Sequence, residues 1–398
     1  MEGHFVDPNG VIYTQLDKET GRPPKEEMFS SAGAYESAPD WYIEGYSRSE
    51  FAAYENCGMC TGAYLRSLLC QYRLTGDAAA LARARRCFNA IKHIFEIGKQ
   101  LEPGFFPKIY GGRFSSQTST DQVLYAVAAM DAFNEFANEA EKTDVKTMIP
   151  LMVNFWVRRQ YRYTYYQEID MPWPQERFPS LLALACKYSG DESFRREYER
   201  LLPLTAEPGN ARITPKIKGE KQPIEFERQH RAWLANQLAD AISMDIMQYD
   251  ILLRHDPENP LADSWRQGIL TMWDEARLTL APNGKYYSHA LIDMDTGTAR
   301  RTPGYSQDGA AFHGAQSAWS TMIIRGGLTG LPYIPDRANE IAEKTKLVLD
   351  RLDIQDLTYL DEPERLEPKY RFKTRLLSGD AITNWLWAYW LAATLRIS

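Results

Sequence analysis

The chain of 398 residues carries 46 Lys and Arg against 53 Asp and Glu, for a net charge of −7. That balance excludes a nucleic-acid binder, which needs a basic face, and no stretch approaches the roughly 20 apolar residues of a membrane span. Apolar residues make up 44% of the chain; the length exceeds a typical single domain but suits a large one-core toroid or barrel.

In chain order the patterns are helical, and strand patterns are nearly absent. Met1 to Phe5 has neither the charged nor the apolar part of a leader, so a soluble chain, cytoplasmic or periplasmic, is expected. Thr61 to Tyr72 is apolar nearly all round. Next, Leu81, Ala84, Phe88, Ile91 and Phe95 step by three and four, with Arg83, Arg85, Arg86 and Lys92 on the other sides. Val123 to Met130 is again apolar all round, and Phe178 to Ala185 nearly so. The sets Leu261, Trp265, Ile269, Met272, Ala276 and Ala338, Ile341, Thr345, Val348, Leu352 are amphipathic. Ala381 to Ala393, with Trp385, Trp387 and Trp390, closes the chain as another all-apolar segment. One apolar stripe predicts a helix with a wet face. Apolar residues on every side predict a helix buried on every side, which requires an outer layer of helices around it.

The two kinds alternate through a recurring turn, Leu74-Thr75-Gly76-Asp77 and Tyr188-Ser189-Gly190-Asp191. Glycine supplies the left-handed residue that ends one helix, and aspartate caps the next. Six buried helices are expected, starting near Asn56, Asp121, Glu176, His230, Asp308 and Asp380, 54 to 78 residues apart. Six such hairpins closing on themselves make an all-α (α/α)6 toroid. Residues 1–398 are expected to form this one domain, with 1–50 as an N-terminal arm and first outer helix.

The loops before the inner helices fall on one rim, so their polar residues converge there. Asn56 follows Glu55 at the first start. Ser119, Thr120 and Asp121 open the second, though one helix needs only one cap. Glu176 precedes the third, behind Trp173, whose flanking prolines hold it extended as a sugar platform or as a plug beneath the loop. His230 lies between Arg228 and Arg231 at the fourth; two neighbouring cations favour a neutral imidazole able to act as a base. Asp308, with His313 about one turn on, opens the fifth, and Asp380 opens the sixth after a Ser-Gly pair, where it reads as a cap or a ligand. Arg113, Arg228 and Arg231 offer the fork geometry that grips a carboxylate. Convergent acids, a histidine, arginines and aromatics equip a site for glycosidic chemistry. Asp121, His230 and Asp308 are the catalytic candidates. Asn56, Arg113, Trp173, Glu176, Arg228, Arg231, His313 and Asp380 are candidates for substrate binding.

Other chemistry lacks its equipment. No dinucleotide or P-loop glycine motif, HExxH or GxSxG occurs, and the six histidines form no ligand-like cluster, so neither cofactor nor metal is expected. The five cysteines are dispersed; Cys57-Gly-Met-Cys60 has CxxC spacing but no second pair.

The alternating hairpins, the "TGD" and "SGD" turns, "YGGR" and "STDQVLYAVAAMDAF" resemble the six-hairpin glycosidase superfamily, and within it the unsaturated glucuronyl and rhamnogalacturonyl hydrolases. The resemblance implies an exo-acting hydrolase on a uronic-acid-containing oligosaccharide, with Asp121 as the acid that protonates the C4=C5 bond while water adds at C5. Asn56, with Glu55 beside it, stands where a second acid would be expected. Alternatives are a sugar epimerase of the N-acylglucosamine 2-epimerase type using His230 and His313, a polysaccharide lyase, or a non-catalytic carbohydrate-binding toroid. An oligosaccharide is the expected partner, and the chain a monomer or homodimer.

Overall fold

The computed structural model describes residues 1–30, 43–165, 168–206, 232–235, 238–287, 290–293, 296–301, 304–305, 311–312 and 317–397. Thirteen α-helices lie in these residues: α1 (Glu26–Ser30), α2 (Arg48–Tyr54), α3 (Cys57–Thr75), α4 (Ala78–Gly98), α5 (Thr120–Phe133), α6 (Glu139–Arg158), α7 (Pro179–Ser189), α8 (Glu192–Leu201), α9 (Leu238–His255), α10 (Ala262–Ala276), α11 (Ser317–Gly330), α12 (Ala338–Arg351) and α13 (Gly379–Thr394). The recurring turns form as their chemistry dictates. Gly76 and Gly190 end α3 and α7 in the left-handed conformation, at φ 69° and 66°. Asp77 and Asp191 then accept from the amides of Ala79 and Ser193 to open α4 and α8.

Helices α3, α5, α7, α9, α11 and α13 pack side by side in a closed ring. α3 touches both α5 and α13, and α9 bridges α7 to α11. The amphipathic helices α4, α6, α8, α10 and α12 lie outside them. This is the (α/α)6 toroid that the alternation of the two helix types predicts. One hydrophobic cluster runs from Phe5 to Ala392 through both layers. Two glycines permit the close contacts of the ring. A Cβ on Gly62 of α3 would stand 2.7 Å from the carbonyl oxygen of Tyr125 in α5. One on Gly326 of α11 would stand 2.7 Å from that of Ile242 in α9.

The described residues also hold nine short strands in small sheets, where the sequence shows almost no strand pattern. At two to five residues each, they are too short for period-two alternation to register. One pair matters for the site: β1 (Gln15–Asp17) runs antiparallel to β9 (Leu376–Ser378), with Gln15 opposite Ser378. Just before β1, the Thr14 carbonyl accepts from the Gly379 amide at 2.6 Å, and the Thr14 hydroxyl accepts from the Asn56 amide at 2.7 Å. The N-terminal arm therefore clasps the start of the last inner helix to the start of the first.

Some expected boundaries move. α7 begins at Pro179, because Gln175–Arg177 is a separate 3-10 turn. α9 and α11 begin at Leu238 and Ser317, later than the expected starts near His230 and Asp308. Before α3 the chain places only the short α1 and α2 among the described residues. α13 is not buried on every side. Tyr389 is 44% exposed, and Trp385 and Trp390 are half-buried, because no long outer helix covers that face among the described residues.

Candidate active site

The starts of α3, α5 and α13 meet at one end of the ring. Asn56 precedes α3 and donates from Nδ2 to Oδ2 of Asp380 at 3.1 Å. Cys60, one turn into α3, donates from Sγ to Oδ1 at 3.1 Å. Gln122 of α5 donates from Nε2 to Oδ1 of Asn56 at 3.2 Å and to the Glu55 carbonyl at 3.0 Å. Asp380 does not cap its helix: Ser378 does, accepting from the Ala381 amide. The carboxyl is thereby free to face the neighbouring helices. Burial pushes Asp380 up to about 7, against the pull of the Cys60 and Asn56 hydrogen bonds; the charges of Glu55 and Asp121 push the same way as burial.

Beneath this lies a buried ion pair. Lys108 is 1% exposed and reaches Oε1 and the carbonyl of Glu55. Burial disfavours its charge, but Glu55, then Tyr165, Tyr110 and Asp121, outweigh this and hold its ammonium well above the usual lysine range. Its Nζ also lies 5.5 Å from the Tyr165 ring centre.

Asp121 stands in the first turn of α5, half-buried, and none of the three expected caps acts as one. The residue at the cap position is Ser119, whose hydroxyl is buried and makes no hydrogen bond to the α5 amides. Thr120 Oγ1 accepts from Nη1 of Arg177 at 3.3 Å. Among the described residues no donor reaches the Asp121 carboxylate, and it feels Lys108 and Asp380 only through their charges. Arg177, in the turn before α7, pairs with no carboxylate among the described residues, and its Nε is buried without a partner. Asp121 thus has no donor, and Arg177 no acid, among the described residues, although the Arg177 guanidinium touches Thr120.

The remaining expected residues fall variously. Arg113 is committed elsewhere. It makes an ion pair with Glu50 at 3.1 Å, donates to the Gly45 carbonyl at 2.9 Å and stacks over Tyr46. Trp173 is buried against Trp156 and Tyr165, so its ring packs as a plug under the loop. Glu176 is half-buried in the 3-10 turn beside Arg177. His230, Asp308, Arg228, Arg231 and His313 lie outside the described residues. Sequence reasoning left Cys60, Lys108, Gln122, Arg177 and Arg325 out of the site candidates, Cys60 having been weighed only for its CxxC spacing. Arg325 is wholly buried in α11 and donates to Asn384 Oδ1 at 3.0 Å, to the Ser243 carbonyl at 2.7 Å and to the Tyr125 hydroxyl at 2.5 Å. It thereby ties α11 to α13, α9 and α5 just below the mouth. A charged residue within an otherwise apolar inner helix, as in Met322-Ile-Ile-Arg325, was the signal available.

No family profile and no curated protein matches the sequence. Among solved structures, a sugar epimerase from a ruminal bacterium aligns over 83% of this chain and 87% of its own, at 9% identity and TM-score 0.48. A D-mannose isomerase aligns over 85% and 86%, at 7% identity and TM-score 0.48. The cellobiose 2-epimerase of Spirochaeta thermophila aligns over 85% and 86%, at 13% identity and TM-score 0.47. Function at such distances has to be argued from this chain's own residues. Among the described residues no helix is long and apolar enough to cross a membrane.

Proposed function

We propose that the mouth of the ring is the active site of a carbohydrate-converting enzyme that works by acid–base chemistry, with Asp121 exchanging the proton with the sugar. The observation that carries this is the carboxyl of Asp121, which no donor among the described residues reaches, next in sequence to Thr120, whose hydroxyl accepts from Arg177, an arginine with no carboxylate partner among the described residues. A cap would be hydrogen-bonded to its helix, and a structural arginine would have its donors used, as Arg325 has, whereas Nε of Arg177 is buried without a partner. A half-buried acid without a donor, near a cation without an acid, instead suits a substrate that needs a proton and bears a negative charge of its own, which is the chemistry of a uronic acid. The finer reading is exo-acting hydrolysis of a uronyl oligosaccharide. Arg177 holds the uronate carboxylate, and Asp121 protonates either the C4=C5 bond, with water adding at C5, or the leaving glycosidic oxygen. Asn56, Gln122 and Asp380 hold the starts of α3, α5 and α13 in register behind it.

A second reading is epimerisation or isomerisation of a free sugar. It rests on His230 and His313, which precede α9 and α11 in sequence and have the residue type that moves a proton on and off carbon.

One experiment separates them. Unsaturated and saturated uronyl oligosaccharides, mannose and cellobiose are offered to the wild type, Asp121→Asn and Arg177→Leu, with product analysis and the ultraviolet absorbance of the C4=C5 bond followed together. The hydrolase reading expects sugar release from the uronyl substrates, reduced at least ~100-fold by Asp121→Asn, and a raised KM in Arg177→Leu. Interconversion of mannose or cellobiose without release, with deuterium taken up from the solvent, establishes the epimerase reading instead. Full activity in Asp121→Asn removes Asp121 from the chemistry under either.

A further inference from the structure

The opposite end of the ring holds a second polar cavity, of about 420 Å³, built on the far ends of α3, α5, α7 and α9. Asn134 caps α5 there, about 20 Å of helix from Asp121 at 1.5 Å per residue. Arg66, Arg73, Asn134, Lys187, Asp250 and Arg254 are among its lining residues.

Most of its charges are accounted for. Arg73, Lys187 and Arg254 sit in the last turns of their helices, where the helix dipole favours a cation. Each also has an acid: Arg73 pairs with Glu135, Lys187 with Asp131, and Arg254 with both Asp131 and Asp250. Arg66 has neither. It lies in the middle of α3, and among the described residues it pairs with no carboxylate. Its Nη1 donates to the Ala128 carbonyl at 3.3 Å, and its guanidinium lies 5.1 Å from the Trp387 ring centre. Arg325 approaches the same ring at 4.5 Å, so that side adds a second cation; Asp250 and Asp131 favour the charge of Arg66 only from a distance, and burial with the charge of Arg254 outweighs them. A second group is also unmatched, since Oδ1 of Asn134 is buried without a partner.

We propose that this cavity is a binding site for a small oxyanion that also carries a hydroxyl, of which hydrogen phosphate is the simplest. The guanidinium of Arg66 grips two oxygens in its fork, Lys187 and Arg254 supply further donors, and Asn134 accepts from the hydroxyl. The ligand's charge balances the cation that the protein leaves unpaired. The site is separate from the mouth and does not depend on the activity proposed for it.

Calorimetric titration at fixed ionic strength tests this directly, with inorganic phosphate, glucose 6-phosphate, glucose and chloride as the titrants. Saturable binding of phosphate, but not of chloride or glucose, is expected, and it falls about tenfold or more in Arg66→Leu. Arg66→Lys keeps the charge and the packing stem but loses the fork; it provides the same test if the leucine variant fails to fold, with a smaller loss expected. Glucose 6-phosphate binding more tightly than phosphate identifies a phosphorylated sugar as the source of the oxyanion; equal binding identifies the free ion. The proposal is overturned if phosphate binds no better than chloride, or if both Arg66 variants bind it like the wild type. It is also overturned if Arg177→Leu abolishes binding while Arg66→Leu preserves it, since the anion would then sit at the mouth.

Discussion

Asp121 and Asp131 stand on the same helix, ten residues apart, and the protein treats them in opposite ways. No donor among the described residues reaches Asp121. Asp131 is 2% exposed at its side chain and is met by Lys187 at 2.7 Å, the Tyr188 hydroxyl at 2.8 Å, Arg254 at 3.3 Å and His255 at 3.6 Å. Burial alone would raise Asp131, but the His255, Lys187 and Arg254 contacts outweigh it and hold the carboxyl far below the usual carboxylate range. The one acid is kept available and the other is fully used. Asp131→Asn leaves Lys187 and Arg254 short of a counter-charge. Because both cations are partly exposed and Arg254 keeps Asp250, a loss of roughly 1–3 kcal/mol of stability is expected, read as a lowered urea midpoint with an unchanged slope. A midpoint within error of the wild type would show that the cluster contributes no net stability.

At the scale of elements, the ring depends on how near its inner helices come. Gly62→Ala places a Cβ 2.7 Å from the oxygen and 2.9 Å from the carbon of the Tyr125 carbonyl, both backbone atoms that cannot swing away. α3 and α5 must separate, at a cost of roughly 1–3 kcal/mol. Because Asn56 and Asp121 start those same two helices, the variant is expected to lose turnover as well as several degrees of thermal midpoint; an unchanged midpoint would mean the ring yields freely there. This level of organisation was largely legible in the sequence. Helices apolar all round alternate with amphipathic ones, and Gly76-Asp77 and Gly190-Asp191 mark where each pair turns, since both signals arise from local chemistry. The starts of α9 and α11 were expected too early because the short strands Ala232–Ala235 and Ala311–Phe312, which precede them, leave no pattern that marks where the helices begin. The site was legible only in part. Asn56, Asp121 and Asp380 show themselves as polar residues at apolar helix starts. Arg177, Lys108 and Cys60 matter through partners 57, 53 and 320 residues away, and no local pattern encodes such pairings. The clasp of Thr14 on Asn56 and Gly379 is equally non-local.

Across the whole molecule, the two ends of the ring respond to pH in opposite senses, and the direction can be worked out. Burial pushes Asp380 up to about 7, and Glu275 of α10 likewise, helped by the charge of Asp274. In the unfolded chain these groups titrate near 3.8 and 4.5. Between those values and about 7 the folded protein holds more protons than the unfolded one, so stability falls as pH rises through that window and levels off above it. Asp131 has the reverse sign. Its folded value lies below its unfolded one, so its contribution is complete above about 4 and drains away as the solution becomes more acid. Together they predict greatest stability at mildly acid pH, with a decline on the order of a few kcal/mol toward pH 8. Urea unfolding of the wild type and Asp380→Asn at several pH values between about 5 and 8 measures this. The wild type is expected to lose midpoint steadily across the range, and the variant to lose distinctly less, because one of the two protons is no longer released on unfolding. The comparison rests on the slope, not on the absolute midpoint, which the altered contacts to Asn56 and Cys60 will also shift. Parallel pH profiles for the two proteins would show that Asp380 is already ionised at mildly acid pH, and that the mouth is wetter than its packing implies.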